Sequence, residues 1–304
     1  MRLVWAAFIA FSFIPLAASA SPETERCRAL IPKIVCEVDP PTNEPDRYKD
    51  GRTCLKTDTS RYQATMRAAF DVFPDFLQRR FCQLNKIYIE KDYFGSAWSS
   101  AVDEGNPTRF LIGLRKKDID AKLDVAHYRT WFGQQSFGGN PDFSVNPKLP
   151  LVHIIGKSVS STAFTLLHEL GHTFDYEAKY NVAKGDPAFD KSWTHLSWED
   201  IAAISTSSDF DQRKSICLNR CQGHYLSAAS AGGFYRDLFS HGFLSQLSAI
   251  NAMEDFAESF AFYIAQKYMN IEFEVEASGK RSSVSAAMND QRFREKLRYL
   301  SGRF

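Results

Sequence analysis

This sequence has no surplus of charge of either sign: 37 lysines and arginines stand against 36 aspartates and glutamates. That excludes the basic face a nucleic-acid partner requires, and the polybasic segment that holds a protein on an acidic membrane surface. No segment after the first twenty residues is long and apolar enough to span a bilayer. There is no internal repeat and no low-complexity tract. Histidine is scarce, seven in 304 residues, so two of them at a defined spacing are informative. Phenylalanine is the opposite case. Its 25 copies predict a Phe-rich core, because large apolar rings are mostly buried.

The first twenty residues form a separate object. Arg2 gives a positive start, Leu3 to Leu16 is an almost unbroken apolar run, and Ala18-Ser19-Ala20 closes it with small residues. This reads as a signal peptide spanning residues 1–20, cleaved after Ala20. An uncleaved anchor is the rival reading, and the run is short for the ~20 residues a span needs. Removing it takes one basic residue and no acid, so the rest of the chain carries 36 of each. The expected location is therefore exported, periplasmic or secreted, with no stable membrane insertion after cleavage. All six cysteines lie in that remainder, and an even count in an exported chain predicts disulfides. Cys27 with Cys36 and Cys54 with Cys82 are the local pairings. Cys217, Cys221 and His224 have a spacing that suits either a disulfide or a second metal, and an oxidising compartment favours the disulfide.

Residues 21–60 are polar, Pro-punctuated and carry three cysteines, which predicts an irregular, stapled segment. From Ser60 to Gln83 apolar residues recur at helical spacing, with Pro74 expected to kink or split the helix. KIYIE (86–90), FLIGL (110–114) and LVHII (151–155) read as strands. Residues 133–150 read as a loop. Ser160 or Ser161 offers an N-cap to a helix from Thr162 to Tyr180. Residues 186–233 look loop-like, Phe243 to Met269 shows a long helical pattern, and QRFREKLRYL at the end is amphipathic. The chain thus reads as an α+β fold with a mainly helical C-terminal part. A Cys-bearing N-terminal region (21–105) precedes the unit that carries the chemistry (106–304).

That chemistry rests on His168-Glu169-Leu170-Gly171-His172. Residues four apart share a helix face, so both imidazoles can point at one ion. Zinc accepts neutral imidazole and, in catalytic sites, keeps a position open for water. Glu169, next to the first histidine, is the candidate catalytic base for that water. The apolar neighbours Phe164, Leu166, Leu167, Leu170 and Phe174 bury the histidines, and buried polar groups need partners. A single zinc per chain supplies one. The LVHII strand lies just upstream, where an extended substrate can pair with a sheet edge. A third ligand is expected in MEDFAESFAFY (253–263), where Glu254 and Glu258 share a helix face among phenylalanines.

HELGHTFD followed by EDFAESF resembles the gluzincin zinc metallopeptidases of the anthrax lethal factor-like type and related bacterial zinc peptidases. The resemblance covers roughly residues 150–270. It implies a zincin-like fold, with the active-site helix packed on a small mixed sheet, and hydrolysis of a peptide or protein substrate. It also implies Glu254 as third zinc ligand. Glu258 would support a ligating histidine through its other ring nitrogen, as would Asp175 on the face of His172. The chain departs from the family at Leu247, where relatives often carry a tyrosine that stabilises the oxyanion. Tyr225, Tyr235, His195 and His241 are the candidate substitutes. Losing such a donor can cost ~3 kcal/mol of barrier, so a catalytically weak or inactive zinc-binding module of the same fold is the alternative. Hydrolysis of an amide in cell-wall peptide ranks third, since no wall-binding repeat is present.

Overall fold

The computed structural model describes residues 21–103, 108–218, 221, 223 and 225–304; the signal-peptide reading of residues 1–20 lies outside them. The described residues open with helix α1 (Pro22–Ile34), not the irregular segment expected there. Ser21 caps it by accepting from the Thr24 N–H at 3.1 Å, and Pro22 sits in the first turn, where its missing N–H costs nothing. Strand β1 (Val35–Val38) follows directly. Only the stretch from residue 39 to 59 is irregular, apart from a 3-10 turn at Glu44–Tyr48. The next helical pattern is split at Pro74, as expected, into α2 (Ser60–Val72) and α3 (Asp75–Arg80).

Strands β2 (Leu84–Glu90), β3 (Ala97–Asp103) and β4 (Arg109–Arg115) complete a mixed four-stranded sheet in the order β1-β2-β4-β3. β1, β2 and β4 run parallel, while β3 lies antiparallel to β4 at the edge. The sheet therefore takes strands from both sides of residue 105. Gly113 of β4 is required by packing: a Cβ there would meet Trp98 Nε1 at 2.0 Å. Short helix α4 (Lys116–Ala121) and helix α5 (Val125–Gln134) lead to strand β5 (Leu151–Gly156) and helix α6 (Ser161–Ala178). Beyond a small hairpin, β6 (Trp198–Asp200) and β7 (Ala203–Ile204), come α7 (Ala231–Ser240) and α8 (Ala252–Met269). Strands β8 (Ile271–Ala277) and β9 (Lys280–Ser283) join β5 in an antiparallel sheet, and α9 (Val284–Asn289) and α10 (Arg294–Ser301) end the chain. The expected α+β class and Phe-rich core are both present, with Phe234, Phe243, Phe256, Phe260 and Phe293 fully buried.

Helix α8 starts nine residues later than the apolar pattern from Phe243 suggests. Ser245 and Ser248 explain it. The Ser248 hydroxyl accepts from the N–H groups of Leu244 and Ser245, and Ser245 Oγ accepts from the Ser248 N–H. These bonds offer the backbone a turn in place of a helix. Asn251 then caps α8 through the Glu254 N–H at 2.9 Å.

The local cysteine pairings are corrected: the disulfides are Cys27–Cys82, Cys36–Cys54 and Cys217–Cys221. Seven helical steps of α1 from Cys27 to Ile34 span about 10 Å, and β1 carries Cys36 further away. That exceeds the ~4.4–6.8 Å Cα separation a disulfide allows. Cys217 and Cys221 are bonded to each other, which removes them as metal ligands; His224 lies outside the described residues. Among the described residues, no helix is long and apolar enough to cross a membrane.

Candidate metal centre

Helix α6 is capped by Ser160, whose hydroxyl accepts from the Ala163 N–H at 3.2 Å, and it ends at Lys179 in the left-handed conformation. Its buried face carries His168 and His172, whose Nε2 atoms lie 3.2 Å apart. Helix α8 lies against it. Gly171, a mild cost to a helix, makes the approach possible: a Cβ there would stand 3.0 Å from Phe260 Cδ1 and 3.2 Å from Ala257 Cα. The close crossing places Glu254, in the first turn of α8, with Oε2 3.2 Å from His168 Nε2 and 3.7 Å from His172 Nε2. These three residues form a group that can hold a metal ion.

The donor set suits a cation in two ways. Around zinc, with ligands about 2.0–2.2 Å away, tetrahedral edges are about 3.3–3.6 Å long; the contacts here are 3.2, 3.2 and 3.7 Å. The electrostatics agree. Burial works against charge on His168, yet its bonds to Glu254 and Glu258 outweigh burial and raise its pKa to about 10. Glu254 is driven far below the carboxylate range: burial opposes this, and the two histidines prevail. The carboxylates thus favour positive charge at the point where the imidazoles meet.

Glu258, one turn further along α8, is 1% exposed. Its Oε1 lies 3.0 Å from His168 Nδ1, so a proton on Nδ1 leaves Nε2 with its lone pair toward the centre. Arg129 of α5 grips the same carboxylate in a fork, at 3.1 and 2.6 Å, and the Ser245 hydroxyl donates to it as well. Asp175 is placed differently from its expected role. It accepts from the backbone N–H and side-chain amide of Asn181 at 2.7 and 2.9 Å, fixing the loop after α6. Nδ1 of His172 is buried with no hydrogen-bond partner among the described residues. Tyr176 stacks on the His172 ring and donates to the Ser99 carbonyl at 3.1 Å, tying α6 to β3.

Glu169 is buried, and its Oε2 also has no hydrogen-bond partner among the described residues. Burial raises its pKa, and the neighbouring histidines pull it part of the way back. It faces a cleft of about 210 Å³ shared with His168, Glu254 and Glu258. The cleft is also lined by the β2–β3 turn and the start of β3 (Tyr93 to Ala97), with Tyr128, Arg129 and Phe132 from α5. The strand that lines the cleft is β3; Leu151–Ile155 is an edge strand beside β8, as expected of a sheet edge, but contributes no residue to the cleft.

Leu247 lines the cleft, but none of the four candidate substitutes for a tyrosine there does. Tyr235 is buried beside an adjoining apolar cavity, where its hydroxyl accepts from Gln246. Tyr225 is half exposed and packs near Gly138. His195 rests on Phe189, and His241 bonds the Asp237 carbonyl. Arg129, Ser245 and Tyr93 escaped the sequence reading. Arg129 had a signal: Val125, Tyr128 and Phe132 surround it at helical spacing, an unusual place for a charge. No family model, no curated protein and no solved structure matches this chain.

Proposed function

We propose that the protein is an exported, zinc-dependent metallopeptidase with a zincin-like fold, as its resemblance to the lethal factor-like gluzincins implies. The observation that carries this reading is the meeting of His168, His172 and Glu254 beside the buried carboxylate of Glu169, which lines the same cleft. His168, His172 and Glu254 would hold the ion. When bound, zinc lowers the pKa of its water toward ~7 and polarises a substrate carbonyl. Glu169 Oε2 takes the proton of the attacking water and returns it to the leaving amine. Burial raises its pKa, which strengthens it as a proton acceptor. Glu258 and Arg129 hold the His168 ring in orientation. β3 is an edge strand whose start borders the cleft, so an extended peptide can add to it by main-chain hydrogen bonds. Three disulfides support an oxidising compartment, periplasmic or extracellular.

Leu247 supports a second reading. With an alkyl group on the cleft where relatives often place a hydroxyl, a weak or inactive zinc-binding module is the alternative. Metal analysis of the purified chain separates these ideas from coincidence: about one zinc per chain is expected, lost in His168→Ala. Glu169→Gln should keep the zinc and abolish hydrolysis of unfolded protein. Hydrolysis that survives Glu169→Gln refutes the base assignment. A zinc-loaded chain that cleaves neither protein nor isolated peptidoglycan establishes the binding module.

A further inference from the structure

The turn between β2 and β3 puts Tyr93, Phe94 and Gly95 on the lining of the cleft that His168, Glu169 and Glu254 also line. Tyr93 is held from behind. The guanidinium of Arg47 lies over its ring, 4.8 Å from the centroid. Arg47 is ion-paired with Glu90, the last residue of β2, and Arg52 pairs with the same carboxylate. Glu90 is 1% exposed, and it also accepts the indole N–H of Trp98 from β3 at 3.0 Å. The Ser100 hydroxyl donates to the Tyr48 carbonyl at 2.9 Å, and the Tyr48 ring meets Trp98 edge-on. Arg47, Tyr48 and Arg52 all lie in the loop that the Cys36–Cys54 disulfide closes. With one 3-10 turn as its regular structure, this stretch has little backbone bonding of its own to resist the entropy of an open chain.

We propose that residues 37–53 are a buttress that positions Tyr93 on the cleft wall, and that the buttress is set only when Cys36 and Cys54 are joined. The inference rests on the reading that this cleft takes a peptide substrate. Joining the two thiols forms one S–S bond and passes two electrons and two protons to a disulfide-bearing oxidant, whose own S–S bond becomes two thiols. The cleft then reaches its substrate-binding shape in an oxidising compartment, not in a reducing one. Tyr93 contacts substrate. Arg47 and Glu90 lie behind Tyr93 and act through it, as positioning residues.

The test is amide hydrogen exchange on the full chain without its signal peptide, compared with the Cys36→Ala/Cys54→Ala double variant. Exchange in residues 91–97 should quicken about tenfold or more, with residues 161–178, residues 252–269 and zinc content unchanged. On any peptide the unmodified chain cleaves, KM should rise threefold or more while kcat stays within twofold. Arg47→Lys keeps the disulfide but loses the planar guanidinium over Tyr93. It should show the same pattern in smaller measure, so the reading does not depend on whether the double variant folds. Unchanged protection of residues 91–97 in both variants overturns the proposal. If the unmodified chain cleaves nothing, the peptidase reading fails by itself, and the exchange comparison still decides the buttress.

Discussion

Replacing Glu258 with alanine should weaken zinc binding without removing a ligand. Two effects act, with the same sign. His168 Nδ1 loses the acceptor 3.0 Å away that fixes its ring, and loss of such a supporting partner costs about 10–100-fold in metal affinity. Arg129, 10% exposed, is left without its carboxylate, so an uncompensated cation remains near the ion. The first effect corresponds to about 1.4–2.8 kcal/mol of binding free energy. The second also strikes the fold, because stranding one member of a buried pair costs about 3–5 kcal/mol, a large share of the ~5–15 kcal/mol that holds a typical domain together. The assay must separate the two. Zinc affinity is measured by chelator competition well below the unfolding transition, and stability by urea denaturation of the metal-free chain. Glu258→Gln keeps a carbonyl oxygen for His168 and should fall between wild type and Glu258→Ala in both assays. Glu254→Ala should lose zinc far more severely. If Glu258→Ala binds zinc within twofold of wild type, the supporting role is wrong. If it empties the site while Glu254→Ala retains zinc, the ligand assignment is off by one helical turn.

Lys296→Met strands Asp255, which is fully buried and bonded to Lys296 at 2.7 Å; a loss of about 3–5 kcal/mol is expected in urea denaturation, and a loss under 1 kcal/mol would contradict it. Gly171→Ala should lower the thermal midpoint. Its Cβ would press on Phe260 and the Ala257 backbone at about 1–3 kcal/mol, against a helix-propensity gain of about 1 kcal/mol; a raised midpoint would show that α6 and α8 part easily. Leu247→Tyr should raise kcat on a peptide substrate by tenfold or more if the position matches the family's hydroxyl donor, and an unchanged kcat would show that it does not.

The parts legible from the sequence share a cause. His168 and His172 could be paired because four residues on a helix fix a face, and Pro74 could be placed because its ring forbids a continuous helix. Strands 86–90, 110–114 and 151–155 all occur because β-prone apolar runs are local signals. What failed was non-local. Cys27 pairs with Cys82 because α1 packs against α3, a fact of tertiary packing that spacing does not encode. β3 (AWSSAVD) was overlooked because an edge strand with small polar residues lacks an apolar run, yet it borders the cleft. Arg129 stands 129 residues from Glu258, so nothing local joins them. Helix α1 was hidden by prolines, although Pro22 sits where a helix start tolerates one.

The acids of α8 give the strongest physical case for a cation at the centre. Glu254, Asp255 and Glu258 lie within two turns of a helix otherwise lined with alanine and phenylalanine, and such a group can be an ordinary solvated stripe. Burial excludes that for two of them, since Asp255 is 0% and Glu258 1% exposed. Each of those two has a protein cation. Asp255 has Lys296, with the Trp198 indole donating at 3.0 Å. Glu258 has the fork of Arg129. Glu254 faces only two imidazoles, and one of them already shares its other nitrogen with Glu258. Glu254 is only partly buried, with its side chain 27% exposed; α10 and α5 supply a lysine and an arginine to the other two acids and neither to this one. A metal ion held by His168, His172 and Glu254 would complete the set. Reconstitution gives the corresponding measurement: the zinc-loaded chain should unfold at a higher temperature than the metal-free chain, by RT ln(1 + [Zn]/Kd) in free energy, and this gain should vanish in Glu254→Ala. A gain that persists in Glu254→Ala would mean that the ion binds elsewhere.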